Sequence, residues 1–299
     1  MSGRTHTRLA LVAACLLLAF STMGLSASTA ARRLTGVTPA SEPLPDPTSS
    51  AHAPAAAPSS AEPAASTSAT PRMFPLLPPG SALPDDATCA DDVAPAEEAV
   101  PGNEVYNATA GSITLPESFF DEGSHDTRAT TEIANRVTGA FTGTTAQILQ
   151  WTACKWGVDQ AIVRAQAQVE SSWRQTMKGD WTTDRRYCAP GHGLGVDGRP
   201  GYCPESWGIL QVRYQFFRGA FPDAITSTAF NADTAYAVWR ACYEGYEWWL
   251  ADFAAPGHTY EAGDAWGCLG RWYSGQWHDD LAERYIDCVQ RIVYGRPPC

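Results

Sequence analysis

The stretch VRAQAQVESSWRQ (residues 163–175) brings an apolar helical pattern to an abrupt polar end. Ile162, Ala165 and Val169 are spaced at i, i+3 and i+7, which predicts one buried face of a helix. Glu170 follows that face directly, and two serines, a tryptophan and an arginine come next. A carboxyl group at this border is a candidate functional group, and the simpler alternative is a surface glutamate near a helix end.

Further helical patterns surround this stretch. The segment TAQILQWTACKW (residues 145–156) predicts a helix that stops at Gly157, and Asp159 is expected to cap the next helix, which carries Glu170. The remaining predicted helices run to about Leu250 after the expected cap Asp233, from Asp264 to Trp272, and to Gly295 after the expected cap Asp280. Residues 176–204 are rich in Gly, Pro and Asp and are predicted to form a loop. The sequence therefore predicts a mainly α fold with one core.

Two N-terminal segments are predicted to lie outside that domain. Residues 1–30 combine Arg4 and Arg8 with the apolar run LALVAACLLLAF, which is typical of a secretory signal peptide, and an uncleaved anchor is the alternative. Residues 31–104 are predicted to be a disordered linker because Pro, Ala, Ser and Thr dominate their first part. The domain is assigned to residues 105–299, and the chain is expected to be secreted, extracellular and associated with the cell wall.

The cysteines indicate disulfide bonding. Nine are present, and removal of Cys15 with the signal leaves 9 − 1 = 8, an even number. An exported chain meets an oxidising environment, so these eight are predicted to pair. Cys188 and Cys203 flank a Gly- and Pro-rich loop and are the one local pair singled out. A zinc site formed by Cys188, His192 and Cys203 is the alternative.

Charge and aromatic content narrow the partners. The formal net charge is −11, and no basic stripe is evident, which argues against a nucleic-acid partner. A neutral polymer is compatible with this charge. The 11 Trp and 11 Tyr serve core packing, and a further role for them is to provide platforms for sugar rings.

Three short motifs occur in a recognisable order. VESSW at 169–173 resembles the Glu-Ser motif of the lytic transglycosylase and goose-type lysozyme superfamily, and SWGILQV at 206–212 resembles its Gly-Leu-Met-Gln motif. RWYSG at 271–275 resembles its Ala-Tyr-Asn motif, with a serine in place of the asparagine. Each motif alone is weak, whereas three in order on a helical chain are specific. The resemblance covers about residues 125–294.

The resemblance implies a lysozyme-like, SLT-type fold with a groove for peptidoglycan glycan strands. It implies that Glu170 is the single catalytic acid and base, and that Ser206, Gly208, Gln211 and Tyr273 lie on the substrate side. The Tyr273 hydroxyl is expected near the catalytic carboxyl group. The simpler alternatives are a capping role for Ser206, a turn role for Gly208 and a core position for Tyr273.

Glycosidic cleavage requires a proton on the leaving oxygen, and a glutamic acid supplies it at neutral pH only if its pKa is raised. An apolar pocket raises the pKa because it disfavours the charged form. The apolar run before Glu170, with Trp173 beside it, is expected to form that pocket. No cofactor and no metal are expected.

Whether a second carboxylate is present distinguishes hydrolysis from transglycosylation. Goose-type lysozymes carry an aspartate directly after the second motif, where this chain has Arg213, and Asp180, Asp184 and Asp197 occupy no position that can be matched. The sequence therefore favours a monomeric lytic transglycosylase, a lyase that cleaves the MurNAc–GlcNAc β-1,4 bond and leaves a 1,6-anhydro end. A hydrolytic muramidase and an inactive peptidoglycan-binding protein are the alternatives.

Overall fold

The computed structural model describes residues 73–121, 123–297 and 299. This part of the chain is mainly helical, as predicted. Its α-helices are α1 (Asp86–Asp92), α2 (Glu104–Asn107), α3 (Thr145–Trp156), α4 (Gln160–Ser171), α5 (Asp223–Thr226), α6 (Thr228–Tyr243), α7 (Ala265–Ser274) and α8 (Asp280–Val293). The strands β1 (Lys178–Thr182), β2 (Cys203–Trp207) and β3 (Val212–Arg213) form one antiparallel sheet in that order. The predicted signal peptide and linker residues 31–72 lie outside the described residues.

Helix α6 forms the centre of the core, since every residue along it is buried. It packs against α3, α5 and α7, and α8 packs against α4 and α7. None of the helices within the described ranges is both long and apolar enough to cross a membrane.

The two helices that precede the site have the predicted boundaries. Helix α3 ends at Gly157, whose φ of 58° is the left-handed conformation that glycine adopts without strain. The Asp159 side chain accepts a hydrogen bond from the Ala161 backbone N–H and caps α4. Helix α4 ends where Ser172 and Trp173 both take positive φ, at 53° and 64°. Glu170 thus lies in the last turn of α4, where the sequence predicted it.

The predicted loop 176–204 is wrong in part, because β1 and β2 lie at its two ends and pair with one another. The two later helix caps also differ from expectation. Helix α6 begins after Ser227, whose hydroxyl accepts from the Phe230 N–H, whereas Asp233 is buried and accepts from Lys155 Nζ at 2.8 Å. Asp279, rather than Asp280, caps α8. Ser227 lies six positions before Asp233, and Asp279 lies one position before Asp280, so local spacing misplaced both helix starts.

The domain boundary at residue 105 is wrong for residues 73–104, which pack on the helical core. Phe74 is buried, and Cys89 on α1 is bonded to Cys154 on α3. Asp86 forms an ion pair of 2.7 Å with the buried Lys155. A disulfide and buried contacts offset the entropy that composition alone suggested would keep this segment disordered.

All eight cysteines expected in the exported chain are paired, as predicted. The bonds are Cys89–Cys154, Cys188–Cys203, Cys242–Cys268 and Cys288–Cys299. The local pair Cys188–Cys203 is confirmed. The alternative zinc site is wrong because the two sulfurs that it requires are bonded to each other.

Candidate active site

The Glu170 side chain lies where three helices converge. The Tyr285 hydroxyl on α8 donates a hydrogen bond to Glu170 Oε1. The indole N–H of Trp272 on α7 donates to the Leu210 carbonyl at 3.2 Å and also faces the Glu170 carboxyl group. The residue as a whole is partly exposed, and the protein around its carboxyl group removes hydration from the charged form. This carboxyl group therefore has aromatic neighbours and two nearby donors.

Burial raises the pKa of Glu170 from 4.5 to about 7, because the charged form loses its hydration. The value of about 7 also includes the negative charge of Asp180, which raises the pKa, and the Tyr285 hydroxyl and the Trp272 indole, which favour the charged form and lower it. A carboxyl group with a pKa near neutrality is able both to donate and to accept a proton there.

The tyrosine hydroxyl at the carboxyl group belongs to Tyr285, so the expectation that gave this contact to Tyr273 is wrong. Tyr273 is 57% exposed, and its ring stacks on that of Tyr285 with centroids 4.7 Å apart and planes 5° from parallel. Tyr273 thus covers the residue that contacts Glu170. The sequence offered one signal for Tyr285, its place on the apolar face of the last helix, and that signal indicates only core packing.

A different tryptophan from the expected one contacts Glu170. The Trp173 indole N–H donates to the Arg164 carbonyl at 2.9 Å, and the Arg164 guanidinium lies 4.4 Å from the centroid of its ring. Trp173 therefore packs along its own helix. The tryptophan that faces the Glu170 carboxyl group is Trp272, within the third motif.

The first two motifs are joined by buried hydrogen bonds. The Ser171 hydroxyl donates to the Ile209 carbonyl at 2.8 Å, and Gln175 Oε1 accepts from the Ile209 N–H at 3.0 Å. Asn231 on α6 accepts from the Leu210 N–H at 3.0 Å and donates to the Trp207 carbonyl at 2.8 Å. Buried amides paired in this way fix the backbone of the second motif beside the end of α4.

The predicted linker contributes to the same support through Asn103, which is 1% exposed. Its side chain donates to the Trp173 carbonyl at 2.8 Å and accepts from the Gln175 N–H at 2.9 Å. It also donates to Thr145 Oγ1 at 2.9 Å, at the start of α3. Asn103 thus holds the chain directly after Glu170, a role that no local pattern indicated.

Two residues assigned to the substrate side are buried instead. Gly208 has a φ of 83°, and a Cβ there would lie 2.2 Å from Asn231 Nδ2, so glycine is required for packing. Ser206 is 1% exposed, and its hydroxyl donates to Asp180 Oδ2. Both residues support the site from within the fold.

Gln211 remains partly exposed beside the sheet. Its Nε2 donates to the Gly208 carbonyl at 2.8 Å, and its Oε1 lies against Gly179, where a Cβ would approach to 2.4 Å. Its own φ is 54°, in the left-handed region. Gln211 is therefore held in one orientation next to Asp180.

Asp180 is the functional candidate that the sequence did not match to a role. Its side chain is 51% exposed, it accepts from Ser206, and Arg213 Nε lies 4.0 Å from the same carboxylate oxygen. The antiparallel pairing of Gly179 with Ser206, and of Ser206 with Arg213, brings these groups together. A loop prediction for residues 176–204 could not reveal this pairing.

Two cavities of about 390 and 430 Å³ open elsewhere on the surface, and Glu170 lines neither of them. Within the described ranges, no cluster of three His, Cys, Asp or Glu side chains could hold a metal ion. Comparisons with protein-family models, curated proteins and solved structures found no match.

Proposed function

We propose that this chain is a secreted, cell-wall-associated lytic transglycosylase with a lysozyme-like fold. In this proposal Glu170 cleaves the MurNAc–GlcNAc bond of peptidoglycan as the single acid and base. The supporting observation is that burial raises the pKa of Glu170 to about 7. The order of the three motifs supports the family assignment, and four disulfides support an oxidising location.

The reaction consists of two proton transfers at one carboxyl group. Protonated Glu170 gives its proton to the bridging oxygen, and the bond from that oxygen to the sugar C1 breaks. The C6 hydroxyl oxygen of the same sugar then bonds to C1, and its proton passes to the Glu170 carboxylate. The Tyr285 hydroxyl and the Trp272 indole favour the charged form between these transfers. No water is consumed, and Glu170 ends in its starting state.

The Asp180 position favours a second candidate, hydrolysis by a muramidase. Ser206 and Arg213 both approach Asp180 Oδ2. Its other oxygen could accept the proton of a water that attacks C1 while Glu170 protonates the leaving oxygen, as in hydrolases with two carboxylates. The product would then be a reducing end.

Mass analysis of digested peptidoglycan tests both candidates. Transglycosylation gives anhydro ends, which are one water lighter than the reducing ends that hydrolysis gives. A Glu170→Gln variant serves as the control and should release neither product. A parent protein that binds cell walls without cleaving them would support the binding-protein alternative and contradict both enzymatic proposals.

A further inference from the structure

The region around the three-stranded sheet has a net positive charge, whereas the chain as a whole is negative. Residues 174–218 contain seven Lys and Arg against four Asp and Glu, a formal charge of 7 − 4 = +3 in a chain of −11. No basic stripe is visible in the sequence because uncharged and acidic residues separate these cations along the chain. A cationic region on an acidic protein suits an anionic partner.

Three of these arginines lie on two neighbouring segments of the backbone. Arg218 Nη2 donates to the Arg186 carbonyl at 3.1 Å, and Arg185 is its chain neighbour. All three are exposed. Arg186 is paired with Asp184 at 2.6 Å, whereas Arg185 and Arg218 have no carboxylate partner within the described part of the chain. We call Arg185, Arg186 and Arg218 the arginine surface.

Aromatic rings hold two of these guanidinium groups in place. The Arg218 guanidinium lies 5.3 Å from the Tyr214 ring centroid, and that of Arg186 lies 5.5 Å from the Tyr187 ring centroid. Stacking restricts the long side chain while its N–H groups stay available in the plane. Guanidinium groups held in this way suit bidentate recognition of carboxylates.

The arginine surface is linked to the Glu170 site by one short segment, residues 213–218. At its start, Arg213 lies 4.0 Å from Asp180. Near its end, Phe217 stacks on Trp272 with centroids 5.4 Å apart and planes 8° from parallel. Trp272 faces Glu170, and Arg218 is the next residue after Phe217 in the chain.

We propose that the arginine surface binds carboxylate groups of the peptides attached to the glycan strand while the strand lies at Glu170. This inference rests on the proposed function and specifies its substrate as peptide-bearing strands with free carboxylates. Each guanidinium-to-carboxylate contact supplies charge-assisted hydrogen bonds outside the reacting sugar, so it contributes to binding and not to bond cleavage.

Binding measurements on the full mature chain with Glu170→Gln test the proposal without turnover. The ligands are soluble peptidoglycan fragments freed of phosphodiester polymers, either native or with their carboxylates converted to neutral amides. We expect Arg185→Gln combined with Arg218→Gln to weaken binding to native fragments about tenfold, and to leave binding to amidated fragments unchanged. Arg296→Gln is the matched control, since Arg296 is exposed and lies 5.9 Å from the Tyr294 ring centroid.

Equal binding of native fragments by the double variant and its parent would overturn the proposal. An equal loss on native and amidated fragments would also overturn it, because the arginines would then act on structure. A loss seen only when phosphodiester polymers remain attached would assign the surface to phosphate and contradict the carboxylate proposal. If the protein with intact Glu170 cleaves strands but the double variant binds with full affinity, only the role of the arginine surface is contradicted, and the proposed function stands. A parent that neither binds nor cleaves removes the proposed function itself.

Discussion

Glu170 and Asp180 are two carboxyl groups in contrasting regions that influence each other electrostatically. Glu170 lies where α4, α7 and α8 converge, enclosed beside Tyr285 and Trp272. Asp180 lies on β1 with a side chain that is 51% exposed and beside Arg213. Burial holds a proton on Glu170 near neutral pH, and Asp180 acts on it as a fixed negative charge. Surroundings, rather than residue type, assign different roles to two carboxyl groups.

The largest effect is expected from replacing Glu170, the buried member of this pair. Glu170→Gln keeps the size and shape of the side chain and eliminates its acid and base functions. We expect peptidoglycan cleavage to fall by about 10²–10⁴-fold, the usual contribution of a general acid and base. Release of soluble fragments measures the effect, and an unchanged melting temperature at pH 4, where Glu170 is protonated in both the folded and the unfolded state, controls for folding. Cleavage within about twofold of the parent would exclude Glu170 from the mechanism.

The same substitution tests the cost of burying that carboxyl group. The pKa of Glu170 is about 7 in the fold against 4.5 as its ordinary value, so the folded state binds more protons between these limits. Stability from this group is present below pH 4.5 and is lost as pH rises toward 7. Glu170→Gln should therefore be more stable than the parent at pH 8, by up to about 3 kcal/mol, relative to pH 4. Urea unfolding at the two pH values measures this, and a pH-independent difference would contradict burial.

The support of the helical region around Glu170 can be weakened without replacing Glu170 or Asp180. Cys89→Ala with Cys154→Ala releases residues 73–104 from α3, and with them the support that Asn103 gives to the end of α4. We expect a loss of about 2–4 kcal/mol in the free energy of unfolding. Cys288→Ala with Cys299→Ala is the control, because that bond closes a sequence separation of 11 rather than 65 and should cost less. An equal or larger loss of unfolding free energy in the control would contradict a specific stabilising role for residues 73–104.

A smaller change distinguishes the two stacked tyrosines. Tyr285→Phe removes a hydroxyl that donates to Glu170 and lowers its pKa, so the pKa of Glu170 should rise above about 7. The upper limb of the pH–rate profile should move in the same direction. Tyr273→Phe should leave that limb in place, since Tyr273 contacts Tyr285 through its ring. A shift with Tyr273→Phe and none with Tyr285→Phe would instead support the motif-based prediction that the Tyr273 hydroxyl contacts Glu170.

The smallest effect comes from the exposed member of the pair. Asp180→Asn removes a charge that raises the pKa of Glu170, so this pKa should fall slightly, because solvent screens the half-exposed Asp180. Transglycosylation should persist in this variant, with anhydro ends still released. Loss of all cleavage would favour the hydrolytic route, in which Asp180 takes a proton from water.

Local signals in the sequence predicted the elements that depend on neighbours in the chain. Gly157 ends α3, Asp159 caps α4, and the apolar spacing before Glu170 locates it at the helix end. Each of these depends on a few consecutive residues and on backbone hydrogen bonds within one turn. The mainly α fold could be predicted for the same reason, and the Cys188–Cys203 bond could be predicted because its two cysteines flank one loop and lie 15 positions apart.

Contacts between distant segments could not be predicted. The Tyr285 hydroxyl reaches Glu170 across 115 positions, and Asn103 reaches Trp173 across 70. Asp180 acquires its neighbours only when β1 pairs with β2, two short strands in a Gly- and Pro-rich stretch. Composition likewise misplaced residues 73–104, because a disulfide, the buried Phe74 and the Asp86–Lys155 ion pair attach this segment to the core.

Carbon-13 NMR titration of the Glu170 side-chain carboxyl, assigned by comparison with Glu170→Gln, tests the central claim most directly. Enclosure among α4, α7 and α8 predicts a midpoint near the pKa of about 7. A midpoint near the ordinary value of 4.5 would show a solvated carboxylate and would contradict its role as the acid in glycosidic cleavage.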